Sequence, residues 1–384
     1  PLPPHAPKPR PNRPQTKFPT MGPPAAPPPT TPDHRLARIN AARRAVLHGE
    51  GPEEVPVESW IERSWRRCLS NGQRPQQQVG FDVVSPQELR RTQESNRDLV
   101  DAARPVLETL SRAIANTRYF VVVDVNGPID RSDRRATMIA RVGVDLSEAS
   151  VGTTAIGAAL IEQQPVWLHR GEHFFADTSI YSCAGAPLFG PAGQCVGMLD
   201  LTGIEAVERP ELRHLVAQSA RSIENALTQR QPHSLMVRLN WPGRTLGGDS
   251  DGLVCLDADG WVTGANPTAR QMVSQLATLA RDRVHGSELF AMPFEMLFDA
   301  SDQTQADMEL PLWSGLRLQA RAQRAGVNTV ATPARERLPL KEVEITLIRK
   351  AVADAKGNVQ QAARALGISR ATVYRKLGSG RGPR

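Results

Sequence analysis

The stretch Asn358-Val-Gln-Gln-Ala-Ala-Arg-Ala-Leu-Gly-Ile-Ser-Arg-Ala-Thr-Val-Tyr-Arg-Lys-Leu377 has the residue types and spacing of a helix-turn-helix. Asn358 can cap a helix, with Gln361 at the reciprocal capping position. Ala362 and Ala363 are small where two helices must cross closely, and Gly367 falls where a left-handed turn is easiest for glycine. Leu366, Ile368, Val373 and Leu377 supply a shared core. Ser369 can cap the second helix, which leaves Arg370, Tyr374 and Arg375 facing outward. An arginine near the start of such a helix reaches a guanine edge in the major groove. Thr372, Arg375 and Lys376 suit phosphates, which supply much of the affinity. Residues 356–384 hold seven basic side chains and no acidic one. A solvated helical tail would explain the charge but not its agreement with cap, turn glycine and small-residue pair, so double-stranded DNA is the expected partner.

Glu172, His173 and Cys183 invite a thiol or metal reading. A Cys–His pair works only within hydrogen-bond reach, which spacing alone does not establish. The four cysteines, Cys68, Cys183, Cys195 and Cys255, are scattered with no C-x-x-C pair, so neither a zinc cluster nor a disulfide framework fits. Free thiols in a reducing cytosol fit better, and no metal or cofactor is expected. Of only six lysines, none lies between Lys17 and Lys341. A phosphate-binding loop of the G-x-x-x-x-G-K-[ST] type needs its lysine, so the body cannot hold one. It cannot host a kinase-type or Schiff-base lysine either. An enzyme is therefore the least favoured reading.

The chain has 384 residues, enough for two or three domains. Its net charge of +7 is uneven: +4 over residues 1–32, +7 over 338–384, and −4 between them. A mildly acidic body between basic ends again points to nucleic acid. There is no run of about 18 apolar residues to span a membrane, and no apolar h-region at the N-terminus, so a cytoplasmic protein without membrane partners is expected. Residues 1–32 hold fourteen of the 32 prolines and read as a disordered or polyproline-like tail.

Two Arg-rich helices are expected next, 33–47 capped by Asp33 and 56–70 with Trp60, Ile61, Trp65 and Leu69 on one face. Ser85-Pro86-Gln87-Glu88 is a capping box opening one long helix to about residue 116, bent at Pro105, with Leu99, Ala103, Val106, Leu110 and Ala113 in a stripe. The period then changes to two. Strands are expected at 119–125, ending at the turn Asn126-Gly127, and at 136–141 and 165–170. A helix capped by Thr153 or Thr154 runs to about 163, 183–189 and 195–202 form a hairpin, and 208–229 closes the domain as a helix. A turn-rich linker, 232–248, precedes a hairpin (252–257 and 261–265), a helix after Asn266-Pro267 and strand-like alternation over 308–322. The polar linker 326–337 leads to a helix over 340–355 and the motif described first.

That motif resembles the Fis-type helix-turn-helix, N-x-x-x-A-A-x-x-L-G-I-x-R-x-T-L-x-[RK]-K-L, with Val373 replacing the usual leucine. By this resemblance Ser369 and Arg370 match positions near the bases, and Thr372, Arg375 and Lys376 match backbone-contacting ones. The body resembles bacterial regulators of the acetoin-catabolism type, which activate sigma-54-dependent promoters. Ser59-Trp-Ile-Glu-Arg-Ser-Trp-Arg-Arg-Cys68 is similar to their "I-x-x-S-W-x-R-C", and Gly152-Thr-Thr-Ala-Ile-Gly157 to "G-T-N-A-I-G" with Thr154 replacing Asn. Gly171-Glu-His-Phe174, Ser182-Cys-Ala-Gly-Ala-Pro187 and Gly197-Met-Leu-Asp-Leu-Thr-Gly203 complete a GAF-type sensor. Leu253-Val-Cys-Leu-Asp-Ala-Asp-Gly260 followed by Gly264-Ala-Asn266 is PAS-like.

The resemblance implies an α+β multidomain protein: a GAF-type antiparallel-sheet sensor domain (81–231), a small PAS-like αβ domain (245–325) and a C-terminal all-α Fis-type helix-turn-helix (338–384). It also implies a small-molecule effector, with Thr153, Thr154, His169, His173, Phe174, Tyr181 and Cys183 as candidate lining residues. Core packing is the competing role for each. The ATPase domain usual in such regulators has no room in the dozen residues 326–337. The expected function is a sequence-specific, ligand-sensing DNA-binding regulator acting without ATP hydrolysis, through DNA binding, occlusion or contacts with a partner such as RNA polymerase. A homodimer is expected, with helices 85–116 and 208–229 pairing across a two-fold axis. The rival readings are a nonspecific architectural DNA binder and an antagonist that forms heterodimers with ATPase-bearing relatives.

Overall fold

The computed structural model describes residues 32–49, 57–114, 119–121, 134–302, 307–325, 359–365 and 370. The chain divides into two compact units, residues 1–227 and 228–384.

In the first unit, α1 (Pro32–His48) and α2 (Ser59–Ser70) precede α3 (Pro86–Ser95) and α4 (Arg97–Ile114). The side chain of Ser85 accepts from the Glu88 amide, as the capping motif requires. The single long helix expected over 85–116 is nevertheless two. Asn96 leaves helical geometry at φ −101°, ψ 11°, its amide closing α3 on the Thr92 carbonyl while its own carbonyl accepts from Val100 to start α4. Short polar residues such as Ser95 and Asn96 offer the backbone alternatives to helix, whereas Pro105, the expected bend, sits inside α4.

Residues 136–141 also depart from expectation. Residues 136–139 lie in helix α5 (Arg134–Ile139), which buries Ala136 and Ile139 three residues apart, and 140–141 in the turn after it, rather than in a strand. A six-residue apolar run is too short for its period to separate helix from strand. After α6 (Glu148–Val151), Thr154 caps α7 (Ala155–Glu162) by accepting from the Gly157 amide. Strands β1 (Tyr119–Val121), β2 (Val166–His169), β3 (Tyr181–Phe189) and β4 (Cys195–Ile204) form an antiparallel sheet in the order β1-β4-β3-β2, with β3 and β4 the expected hairpin. The rest of the strand expected over 119–125, with its Asn126-Gly127 turn, lies outside the described residues. Helix α8 (Leu212–Gln229) closes the unit.

Because strand side chains alternate, the sheet has two different faces. Leu199 and Leu201 of β4 and Ala184, Ala186 and Leu188 of β3 pack with Leu110 and Ile114 of α4 and with Val216 and Ile223 of α8. Tyr181, Cys183 and Ile204 face the other way, into a core with Trp65, Phe174 and Ala155. The apolar faces of α4 and α8 are thus used within one chain.

The second unit holds a five-stranded antiparallel sheet, β7-β6-β5-β9-β8, from β5 (Leu235–Asn240), β6 (Gly252–Leu256), β7 (Val262–Ala265), β8 (Met308–Pro311) and β9 (Arg317–Arg324). The central strand β5 occupies residues read above as linker; both its partners lie later in the chain, at β6 and β9. Asn266 caps α9 (Pro267–Met272), and α9, α10 (Gly286–Leu289) and α11 (Glu295–Asp302) bury Ala269, Leu289 and Leu297 against the sheet. Helix α12 (Val359–Ala365) falls where the first helix of the C-terminal motif is expected.

Candidate functional site

The two N-terminal signatures meet in the first unit. Ser64 of α2 donates to Glu148 Oε2 (2.5 Å) and shares a hydrogen bond with Thr153 (2.7 Å), while Arg67 grips both Glu148 oxygens at 2.7 and 2.9 Å. Trp65, fully buried, donates from Nε1 to the Glu172 carbonyl at 2.9 Å. Gly152 turns the chain into this contact at φ +67°, where a Cβ would meet the Phe175 ring at 2.9 Å. Helix α1 adds two arginines. Arg43 donates to the carbonyls of Gly171, His173 and Phe174 at 2.8, 2.6 and 3.0 Å. Arg35 binds Glu172 through both oxygens (2.8 and 3.0 Å), reaches Glu208, and lies 4.3 Å above the Trp167 ring. The N-terminal helices therefore belong structurally to the first unit, fastened over residues 148–153 and 169–174.

All seven candidate lining residues are buried, but they do not form one site. Thr153, Phe174, Tyr181 and Cys183 join the core shared with α2 and α7. Thr154 is occupied as the α7 cap. Tyr181 donates its hydroxyl to the Arg135 carbonyl at 3.1 Å. His169 alternates onto the opposite side of the sheet, bonded to Ser182 at 2.9 Å and stacked on Trp167 with ring centroids 5.6 Å apart. His173 Nδ1 lies 2.9 Å from the Arg170 carbonyl and must be the protonated nitrogen, because a carbonyl only accepts. Its Nε2 is then a bare acceptor, buried and without a partner. Burial lowers both histidines to about 4, so both are neutral at pH 7.

A residue absent from the sequence-derived set completes the inner face. Asp200 is fully buried on β4; its Oδ2 accepts from Thr202 at 2.5 Å, and Thr202 Oγ1 lies 3.4 Å from the Cys183 sulfur. Asp200 Oδ1 has no partner. Burial raises this carboxyl to about 7, and burial also lifts the Cys183 thiol well above its ordinary value. Cys183 is thus a poor nucleophile bonded to Thr202, and His173 is bonded to Arg170, so the two do not form the catalytic pair considered above. The signal for Asp200 was its place between Met198 and Thr202 in an alternating strand, an acid on the inward side of an apolar sheet. Glu172 is similarly raised by burial to about 7, although Arg35 opposes the shift. No group of three or more His, Cys, Asp or Glu among the described residues is arranged to hold a metal ion. Nor, among them, is any helix long and apolar enough to cross a membrane.

Of the proposed DNA-reading residues, Arg370 is exposed in a helical segment. Ser369, Thr372, Tyr374, Arg375 and Lys376 lie outside the described residues.

Comparison with known proteins agrees with both halves. Residues 98–227 match the GAF domain family, and residues 339–378 match the family described as bacterial regulatory protein, Fis family. The chain is 29% identical over 264 residues to the acetoin catabolism regulatory protein of Cupriavidus necator, covering 65% of this chain and 39% of that one. It is 26% identical over 228 residues to a signal-transduction and transcriptional-control protein of Clostridium beijerinckii, covering 56% and 35%. It is also 26% identical over 186 residues to the acetoin dehydrogenase operon transcriptional activator AcoR of Bacillus subtilis, covering 46% and 31%. The matched region amounts to between 31% and 39% of these relatives' own lengths. The chain is thus a mixed α and β protein that joins a GAF domain to a Fis-family helix-turn-helix and is related to the acetoin-catabolism type of regulator.

Proposed function

We propose that the protein is a sequence-specific DNA-binding transcriptional regulator whose GAF domain responds to a small effector. The observation that carries this reading is the presence of a GAF match and a Fis-family helix-turn-helix match on one chain. Arg370, with Ser369, Thr372, Tyr374, Arg375 and Lys376, reads or grips double-stranded DNA, most simply as a homodimer on two half-sites about one turn, roughly 34 Å, apart. Regulation proceeds without ATP hydrolysis, a reading supported by the absence of any lysine between Lys17 and Lys341. The effector engages the inner face of the first sheet, where Phe174, Tyr181 and Cys183 share one buried core with α2, Thr153 is bonded to Ser64 of α2, and Asp200 is joined through Thr202 to Cys183. Asp200 Oδ1 there is buried without a partner, as is His173 Nε2 in the β2–β3 connection, which favours a ligand with hydrogen-bonding groups over a purely apolar one. His169 is left as a packing residue. Because these side chains are packed, an effector acts by favouring a state in which they part, and it switches the protein only if it binds that state better.

The test is selection of bound fragments from sheared genomic DNA by the wild type and by Arg370→Ala at moderate salt. Sharp enrichment of a palindromic site that disappears with Arg370→Ala is the expected result. Diffuse recovery indifferent to Arg370 would instead identify a nonspecific DNA binder and withdraw the recognition-helix assignment.

A further inference from the structure

We propose that the solvent-facing side of α11, together with the tip of the β8–β9 hairpin, is a docking surface for the basic C-terminal segment of the same chain, residues 338–384, and that docking and DNA binding exclude each other. The inference goes beyond the effector reading and rests on the assignment of that segment to DNA. On α11, Leu297 is buried in the second unit's core, while Glu295, Met296 and Asp299 share the exposed side. Met296 is 50% exposed, and at the hairpin tip Trp313 is 63% and Leu316 53% exposed. The two places adjoin. Trp313 donates from Nε1 to the Ser287 carbonyl at 3.1 Å, and the His285 ring lies 4.9 Å, centroid to centroid, from that of Phe294, the residue before α11. Nearby arginines are already engaged: Arg324 with Asp302, Arg317 with Glu309, and Arg283 with Asp257 and the Trp261 ring. Glu295 and Asp299 have no ion pair among the described residues, so open apolar side chains stand beside uncompensated carboxylates.

Charge and connectivity select the occupant. Residues 338–384 hold ten basic and three acidic side chains, and a surface of this kind attracts a basic segment with apolar residues of its own and repels an acidic one. The chain also leaves the second unit beside the patch. Arg324, the last residue of β9, binds both carboxylate oxygens of Asp302 on α11 at 2.7 and 2.8 Å and lies 5.3 Å from the Phe298 ring centroid. The dozen residues 326–337 span at most roughly 40 Å, several times the length of the eight-residue α11, so the tether brings the segment within reach. A short tether of this kind keeps its cargo at an effective concentration on the order of millimolar. Arg370, Arg375 and Lys376, assigned above to DNA, supply part of that positive charge. Cations held by Glu295 and Asp299 are withdrawn from phosphates, so a duplex and α11 compete for the same segment.

Carbodiimide coupling of the full chain tests this, because it joins a lysine to a carboxylate only where the two touch, and no lysine lies between Lys17 and Lys341. The expected product joins Lys356 or Lys376 to Glu295 or Asp299, and an excess of mixed-sequence DNA duplex suppresses it. Glu295→Gln with Asp299→Asn is expected to raise affinity for that duplex about fivefold at low salt, since the docked state no longer competes. Glu94→Gln with Asp98→Asn removes the same charge from the first unit and is expected to change affinity by less than about twofold. Equal gains from both pairs would reduce the effect to general repulsion of DNA and overturn the proposal. So would coupling, in isotope-mixed protein, that joins Glu295 or Asp299 only to lysines of a second copy. A chain that binds duplex without ever forming the cross-link overturns the docking surface and leaves the DNA reading standing. A chain that binds no duplex overturns both.

Discussion

The two faces of the four-stranded sheet come from the same strands read at alternate residues, yet they are chemically unlike. On one face Leu199, Leu201, Ala184, Ala186 and Leu188 meet α4 and α8 in an apolar layer. On the other, Asp200, Thr202 and Cys183 form a buried polar chain under α2 and α7, with an unpartnered carboxyl oxygen at its end. An apolar layer contributes stability and little else, whereas a buried polar group without a partner costs free energy on the order of 1–3 kcal/mol. A face that keeps such groups is the better place to look for a ligand, and Trp65 of α2 packs into the core on that side.

Breaking the apolar face gives the largest expected effect. Leu201→Ala removes a fully buried side chain and is expected to cost about 2–5 kcal/mol in a denaturant titration of the first unit, nearly independent of pH. A loss that varied strongly with pH would show that the two faces are not separable. The inner face behaves differently. Asp200 is held up to about 7 by burial, so the folded protein keeps a proton that the unfolded chain releases. Stability linked to that proton is complete below about pH 4 and drains away as pH rises to about 7. Asp200→Asn flattens the slope: between pH 5 and 8 the variant is expected to lose less unfolding free energy than wild type, by on the order of 2–3 kcal/mol. Glu172 and Glu224, also raised to about 7 by burial, keep part of the wild-type slope in the variant. Identical pH profiles would remove Asp200 as the titrating group. The smallest effect belongs outside both faces. Arg66 pairs with Glu62 one turn away at 2.6 Å, with Arg66 63% exposed, and Arg66→Ala is expected to cost no more than about 0.5 kcal/mol. A larger loss would mean that α2 is held to the domain by its solvent-facing side as well.

Where the chain's own chemistry is local, it was legible. Ser85 and Asn266 cap helices where they were expected to, and Thr154 is the one of the two threonines offered that caps α7, because a side-chain oxygen three residues from an orphan amide needs no distant partner. The β3–β4 hairpin and the buried face of α2 followed from alternation and helical spacing. Other features were hidden by dependence on distant residues. Strand β5 looked like linker because it is stabilised by pairing with Arg317–Arg324, far along the chain. Short α5 looked like a strand because six residues carry too little period. His169 and Cys183 both looked like pocket residues, but they sit on neighbouring strands one register step apart: Cys183 pairs with Leu168, and His169 pairs with Ser182. A single step in a pleated sheet sends side chains to opposite faces.

The amino-acid sequence by itself determined the helix-turn-helix spacing, the caps, the hairpin and the lysine-free body, all of which rest on residue type and short-range geometry. Only the tertiary structure decided that the Ser64–Cys68 signature grips Glu148 and Thr153, that Asp200 ends a buried polar chain, and that His169 stands apart from it. The physical reason is that burial and hydrogen-bond satisfaction belong to pairs of residues brought together by folding, and neither is a property of either residue alone.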